Sequence, residues 1–490
     1  MNQFDASALR AVAEKAAQAF QTPAISIAVI QDGKVIFSEG IGTRTMGKTE
    51  TVDSDTSYAI ASMSKSTVST VLAMLHEQAL FNWDDKVTKF LPDFRLYDAF
   101  ASQEITVIDL LKHNCGLNSE SAGTLWYGSD YSREEVVRRL RFLRPVTSFR
   151  SAYAYQNVCF LVAGLIIEKI SGLSWDDFVT KNIFKPLRMA RTFPTIAARD
   201  AAGIQNIATP HTQIDSSLTI IPYRNHDNVG PAASVHSTAN DLANYLTLFL
   251  QEGEFGGKVL LKPESAAFVH QLHHAIPPNT DDFLIHPRLK TMFTSYGLGW
   301  YIQDYKGHLR VGHSGGVDGM RCRMDFFPDQ QCGLVVLTNS EDRRAYSSVL
   351  YTAMDQLFGY EQADWVEAWK NAPGSDTARR TPSRIENTTP SLSLESYTGT
   401  YIDSAYGDIR ISEEGEKLVL RFTHTPAFTA DLEHWHFDTF ALRWRDRYIP
   451  TGLVTFSLSS AGRVKALHLD QPRLLDVDFD ELDDQILKVE

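Results

Sequence analysis

Ser62 and Lys65 stand three residues apart in Ser62-Met63-Ser64-Lys65, where an extended stretch (Tyr58-Ala59-Ile60-Ala61) runs into a helical one predicted from Thr67 to Leu80. Residues i and i+3 share a helix face, so this hydroxyl and this amine can point into the same space. A serine hydroxyl is a weak nucleophile, and an adjacent amine held unprotonated can serve as its base. A helix N-terminus under Ser62 would disfavour positive charge on that amine and supply backbone N–H groups for a developing oxyanion. Taken alone the tetrapeptide is common, and a solvated Ser and Lys explains it better. The reading therefore depends on partners elsewhere in the chain.

Two later motifs supply them. Tyr155-Gln156-Asn157 precedes the apolar helical run Val158 to Ile167, and His313-Ser314-Gly315-Gly316 lies between two strand-like runs. With Ser62-x-x-Lys65 they form an ordered trio that resembles the serine β-lactamase and penicillin-binding-protein superfamily. The nearest likeness is to class C β-lactamases, D-aminopeptidases and related serine esterases. Connecting phrases extend it over roughly residues 8 to 360. Ile105 to Leu117 is similar to the family's "ITIRHLLTHTSGL", Pro186-Leu187-Arg188-Met189 to its "PLGM", and Ser237-Thr238-Ala239-Asn240-Asp241-Leu242 to its "STaxDLa". Asn114-Cys115 and Arg188 depart from it, standing where Ser or Thr and Gly are usual.

The resemblance implies an acyl-enzyme on Ser62. Lys65 would be the base, alone or through a Tyr155 whose phenolate character nearby cations favour. Tyr155 would then protonate the leaving group, and Asn157 would donate to a substrate amide oxygen and to Lys65. Backbone N–H groups of Ser62 and Gly316 are the expected oxyanion hole. Ser314 and Gly315 would flank the substrate, Gly315 and Gly316 because a bare strand lets it approach. His313 stands where β-lactamases carry Lys, and imidazole is a weaker, pH-dependent anchor for a carboxylate. That shifts the expected substrate from penicillins to small esters, amides or D-amino-acid-type peptides. An acyltransferase or thioesterase of the same architecture is the alternative, and a catalytically idle ligand-binding protein a further one.

The chain has 490 residues, 43% hydrophobic and 22% charged, which suits a globular protein of about two or three domains. A formal charge of −13 argues against nucleic acid or anionic membrane as partner, since both reward clustered Lys and Arg. No stretch approaches the ~18 apolar residues of a membrane span, and the first twenty residues read as an amphipathic helix rather than a signal peptide. A cytoplasmic location follows as an expectation. Cys115, Cys159, Cys322 and Cys332 lack metal-type spacing and are expected as free, mostly buried thiols; no metal and no cofactor is expected. Oligomeric state is not legible.

The positioning elements can be read in outline. After the helix over 5–20, Ala24–Gln31 and Lys34–Glu39 read as a hairpin turning at Asp32-Gly33. Helical text follows from Ser62 to about Gln251, broken by loops at 118–131, 196–236 and 272–294 that are expected to line a site. Trp126 and Tyr127, in the first loop, are candidate substrate contacts. Strand text returns at 297–305, 309–312, 319–327 and 332–339, followed by a helix through Tyr346–Leu357. This predicts an α+β fold, an α/β layer with an inserted all-helical subdomain, over residues 1–368. A Pro/Ser/Thr-rich linker (369–392) leads to roughly eight alternating strands at 393–490, a small antiparallel barrel. Its Tyr397-Thr398-Gly399-Thr400-Tyr401 entry is similar to the lipocalin-like domain often attached to these hydrolases. His424, His434, His436 and His468 there read as packing or surface residues. Two motifs are decoys. Gly42 to Thr49 spells a phosphate loop without a helix to follow, and Gly312-His313-Ser314-Gly315-Gly316 spells a nucleophile elbow but runs on into a strand.

Overall fold

The computed structural model describes residues 4–119, 121–277, 289, 291–372, 383–482 and 486–489. They fall into two compact units. One comprises Met1–Asp93, Gln103–Gly116 and Thr147–Gly374; the other comprises Phe94–Ser102, Leu117–Val146 and Ser375–Glu490.

An antiparallel sheet of eight strands organises the first unit. Its order is Lys34–Gly42, Ala24–Gln31, Cys332–Thr338, Met320–Phe327, His308–Val317, Tyr301–Tyr305, Thr294–Tyr296 and His274–Ala275. The first hairpin turns at Asp32 and Gly33, both left-handed (φ 49° and 70°), as its sequence predicts. Its second strand runs on to Gly42, three residues beyond the expected end. No helix opens at Lys48-Thr49, so the phosphate-loop spelling has no structural counterpart.

On one face of the sheet lie helices Ala6–Ala19, Arg343–Leu357 and Trp365–Lys370. Leu9, Ala13 and Ala16 recur at helical spacing and meet Ile27, Val29, Leu334, Val336 and Val349 in one core. Asp5 caps the first helix by accepting from the Ala8 N–H at 2.9 Å. The opposite face carries the helix Ala239–Leu250, whose Leu246 and Leu250 close over Gly333. Between the early and late strands runs the expected helical insertion. Its central helix, Asn157–Ser171, is buried at every position from Asn157 to Ile167. A helix apolar all round belongs in an interior. No single helix among the described residues is long and apolar enough to cross a membrane.

The second unit holds a closed eight-stranded antiparallel barrel, from Gly399–Asp403 round to Ile486–Lys488, which pairs back with the first strand. Phe422, Phe428, Trp444 and Phe479 pack ring to ring inside this unit. Residues 373–382 of the expected linker lie outside the described residues, while Arg384 and Ser391 bond to Trp435 and Asp438 of the barrel. The segment 117–146 requires a correction. Trp126 and Tyr127 are 1% and 0% exposed, and Tyr127 stacks on Phe428 with centroids 5.6 Å apart. Glu481 accepts from the Ala122 N–H and from the Tyr406 hydroxyl, fastening the segment down. Both aromatics are buried core residues of the second unit rather than the exposed loop residues expected. Apolar rings in a loop found an apolar surface to bury.

Of the barrel histidines, His424 pairs with Asp130 and stacks on Tyr131, and His434 bonds to the Phe437 carbonyl. All four cysteines are buried thiols outside any disulfide. No cluster of three or more metal-ligating side chains occurs among the described residues.

Within the sheet, Arg310 and Arg323 flank Asp325, each through two or more charge-assisted hydrogen bonds. Gly312 is required beneath them, since a Cβ there would lie 2.0 Å from Asp325 Oδ1. Burial alone would raise the Asp325 carboxyl, but the two guanidiniums outweigh it and hold it below the usual carboxylate range. Asp325→Asn leaves two buried cations without a counter-charge. Urea unfolding should show a loss of about 3–5 kcal/mol; a loss within the noise of the measurement would contradict this account.

Candidate active site

The reactive turn is assembled from both ends. Tyr58–Ala59 pairs with His236–Ser237, and the Ile60 N–H donates to the Val235 carbonyl at 2.9 Å. The chain then passes through Ala61 at φ 49°, a left-handed conformation that costs a side-chain-bearing residue about 1 kcal/mol or more. A 3-10 turn, Ala61–Ser64, follows and leads into the helix Lys65–Glu77. Ser62 is partly exposed at the tip of this turn while Lys65 is 0% exposed below it. The helix itself is lined with hydroxyls, yet buried. Ser66, Thr67, Ser69 and Thr70 each donate back to a carbonyl three or four residues earlier, so no hydroxyl in the run is left unsatisfied.

Lys65 Nζ lies 2.9 Å from Ser62 Oγ, 2.6 Å from Asn157 Oδ1 and 3.1 Å from the Ala232 carbonyl. It also sits over the Tyr155 ring, 4.7 Å from its centroid. The first two motifs therefore meet at one nitrogen. Asn157 differs from expectation in direction: its Oδ1 accepts from Lys65 rather than its amide donating to it. Ala232 was not anticipated. Its carbonyl reaches Lys65 because Gly164 lets the helix Asn157–Ser171 press on Pro231, where a Cβ would come within 2.3 Å of the proline ring.

The third motif lies in the strand His308–Val317. Pairing with Tyr301–Tyr305 ends at Gly312, leaving 313–317 paired on one side only, with Met320–Phe327. Ser314 and Gly316 are the partly exposed members there, and His313 and Gly315 face inward. Ser314 is thus a strand residue on a local free edge and no nucleophile elbow. Gly315 has a different reason from the one expected. A Cβ on it would lie 2.1 Å from the Ile60 carbonyl, so its bareness admits the serine turn rather than substrate.

His313 also requires a correction. It is 1% exposed, its Nδ1–H donates to the Ser314 carbonyl at 2.6 Å, and its Nε2 accepts from the Tyr296 hydroxyl at 2.9 Å. Burial, helped by the charge of Lys65, drives its pKa down to about 3. With both nitrogens committed and no charge, it is not a pH-dependent anchor for a carboxylate.

His113 is the residue that sequence reasoning passed over. In the sequence it is only part of a family-like phrase, yet its ring lies against that of Tyr155, with centroids 4.4 Å apart and planes tilted by 33°. Its Nδ1 accepts from the Gln156 N–H at 2.9 Å. A histidine close before Cys-Gly in a helix-ending phrase was the available signal.

A family model described as Beta-lactamase matches residues 9–357, and one described as a domain of unknown function, DUF3471, matches residues 383–486. Among curated proteins, an unguisins hydrolase of Aspergillus violaceofuscus is 24% identical over 449 residues, covering 84% of this chain and 77% of that one. Among solved structures, the octameric penicillin-binding protein homologue from Pyrococcus abyssi is similar with a TM-score of 0.63 at 21% identity, over 96% of this chain and 99% of that one. A D-stereospecific amidohydrolase from Streptomyces sp. is similar with a TM-score of 0.57 at 20% identity, over 72% and 98%.

Burial keeps five histidines neutral: His113, His226, His236, His270 and His313, with His226 and His313 near 3 and His270 near 4. Unfolded, each takes a proton near pH 6.5, so below that pH the unfolded state binds protons that the native state refuses. Stability should fall as pH drops from about 7 to 5, by up to roughly 1.4 kcal/mol per pH unit per histidine. Asp241 and Glu481, buried carboxyls pushed upward, act in the opposite sense but are fewer. Denaturation midpoints that stay level, or rise, over this range would refute the assignment.

Proposed function

The chain belongs to the beta-lactamase family, and on that footing we propose that it is a serine hydrolase that cleaves a small ester, amide or D-amino-acid-type peptide through an acyl-enzyme on Ser62. One observation carries the reading: a buried Lys65 Nζ lies 2.9 Å from the Oγ of a partly exposed Ser62. In the resting arrangement three oxygens surround Nζ, matching the three hydrogens of an ammonium. Burial disfavours that charge whereas the hydrogen bonds to three oxygens favour it, and the chemistry requires the neutral form. Once deprotonated, the amine can turn its lone pair to Ser62 and accept its hydrogen.

Ser62 Oγ then bonds to the substrate carbonyl carbon, and its proton passes to Lys65, directly or through Tyr155. Tyr155, whose ring lies over Nζ, is the proposed carrier of that proton through its hydroxyl to the departing alcohol or amine as the carbon–leaving-group bond breaks. Water attacks the acyl-enzyme by the reverse sequence, releasing the acid and restoring Ser62. The backbone N–H groups of Ser62 and Gly316 are the proposed donors to the oxyanion, Gly316 from the strand end that lacks a partner on one side.

The neutral, internally bonded His313 supports substrates without a carboxylate at that point. The relatives agree in chemistry: one is named as a hydrolase of unguisins and another as a D-stereospecific amidohydrolase. The first name supports hydrolysis and the second an amide bond.

A fluorophosphonate should label Ser62, and Ser62→Ala should abolish the adduct while Ser314→Ala retains it. Lys65→Met and Tyr155→Phe should each lower kcat on p-nitrophenyl esters or D-aminoacyl anilides by about 10²–10⁴. An adduct on another residue, or full activity in Ser62→Ala, would discard the proposal.

A further inference from the structure

We propose that His113 is a positioning residue that holds Tyr155 and Asn157 in place around Lys65. The proposal rests on the acyl-transfer reading above and specifies how two of its groups are held.

His113 grips the second motif at three points. Its carbonyl accepts from the Ala154 N–H at 2.8 Å. Its ring lies against that of Tyr155, tilted by 33°. Its Nδ1 accepts from the N–H of Gln156, the residue between Tyr155 and Asn157. The next carbonyl, of Asn114, accepts from the Arg150 N–H at 2.8 Å, so the same short segment also fastens the approach to the motif. The imidazole has no room to move. It is 0% exposed, with Tyr296 at 4.5 Å, Phe160 at 5.3 Å and Tyr153 at 5.6 Å between ring centroids.

Two features argue that this is more than packing. An Nδ1 that accepts leaves the hydrogen on Nε2, and that buried nitrogen has no hydrogen-bond partner among the described residues. A phenylalanine would fill the same space without burying an unsatisfied donor, so the imidazole is used for its acceptor nitrogen. The backbone at His113 is also left-handed, φ 56°. That conformation is unfavourable for most residues but is tolerated best by Asn, Asp and His. Burial first, and then the charge of Lys65, keep the ring unprotonated, so the acceptor persists through the neutral range.

Held in this way, Tyr155 stays aligned for delivery of a proton to the leaving group. Loss of alignment should therefore matter most when the leaving group is a poor one. His113→Phe retains a ring and loses the acceptor, whereas His113→Asn retains an acceptor near the Nδ1 position and accepts the same backbone. Both would be assayed on two substrates sharing one acyl group, a p-nitrophenyl ester and an alkyl ester, with fluorophosphonate labelling in parallel. His113→Phe should lower kcat on the alkyl ester by about tenfold or more, a part of what acid–base catalysis contributes, and on the p-nitrophenyl ester by much less. KM and Ser62 labelling should change little, and His113→Asn should recover part of the loss. In a Tyr155→Phe background the His113 substitutions should cost little more, because the two act as a unit.

Equal losses on both esters, or none, would overturn the positioning role, as would additive losses in the Tyr155→Phe background. If His113→Phe does not unfold cooperatively, the leaving-group ratio of His113→Asn decides: a raised sensitivity supports the role and a wild-type ratio overturns it. A wild-type protein that neither labels on Ser62 nor turns over either ester would instead discard the acyl-enzyme reading itself.

Discussion

One buried amine sets the terms for the first unit. Lys65 Nζ has no exposure, so its hydrogens must be met by protein oxygens. Those oxygens come from its own turn, from Asn157, 92 residues on, and from Ala232, 167 residues on. Each of the three must arrive for the burial to be tolerated. A chain that folds correctly around Lys65 has, by the same act, gathered the serine, the asparagine and the tyrosine of the proposed chemistry. Stability and reactivity share one set of contacts here, which is where a strained residue such as Ala61 can be held.

The gathering depends on bare backbone as much as on side chains. Gly164 admits Pro231 and so brings the Ala232 carbonyl to Nζ; Gly315 admits the Ile60 carbonyl and seats the serine turn on the sheet. Gly299 does the same from another side, since a Cβ there would lie 2.8 Å from the Lys65 carbonyl. Three close approaches from distant parts of the chain thus seat the turn at Ile60, the helix start at Lys65 and the Ala232 carbonyl. A methyl group at any of these points would meet backbone or a proline ring, neither of which yields as a flexible side-chain tip does.

The ordered motifs were legible because the chemistry constrains residue type and spacing locally. Ser62 and Lys65 lie within one turn, and Tyr155 and Asn157 flank a helix start whose apolar run is plain. The hairpin at Asp32-Gly33, the sheet strands expected at 319–327 and 332–339 and the alternating strands of the barrel were legible for a similar reason, since periodicity of two and turn residues are local signals. What escaped the sequence was long-range. Trp126 and Tyr127 read as pocket aromatics because nothing in their neighbours announces a covering surface, and only the fold reveals Phe428 against Tyr127. His113 read as part of a phrase because its partner, the Gln156 N–H, is a backbone group 43 residues away. Main-chain donors and carbonyls such as that of Ala232 leave no trace in residue identity at all.

His313 illustrates how position can overrule residue type. An imidazole in water titrates near neutrality, and the motif comparison with a lysine invites an anionic ligand. Inside the strand His308–Val317 its inward-facing side puts it among Tyr155, Tyr296 and Tyr301, whose rings exclude water. Lys65 already places one cation in this small volume, and a second would repel it at low dielectric. The histidine therefore resolves as a neutral link between Tyr296 and the Ser314 carbonyl, shaping the strand end where Gly316 lies. His313 itself therefore adds no charge beside Ser62, Lys65 and Tyr155. A neutral His313 is then no cation for a substrate carboxylate, and the positive group beside the third motif is the Arg321 guanidinium, close against Gly316.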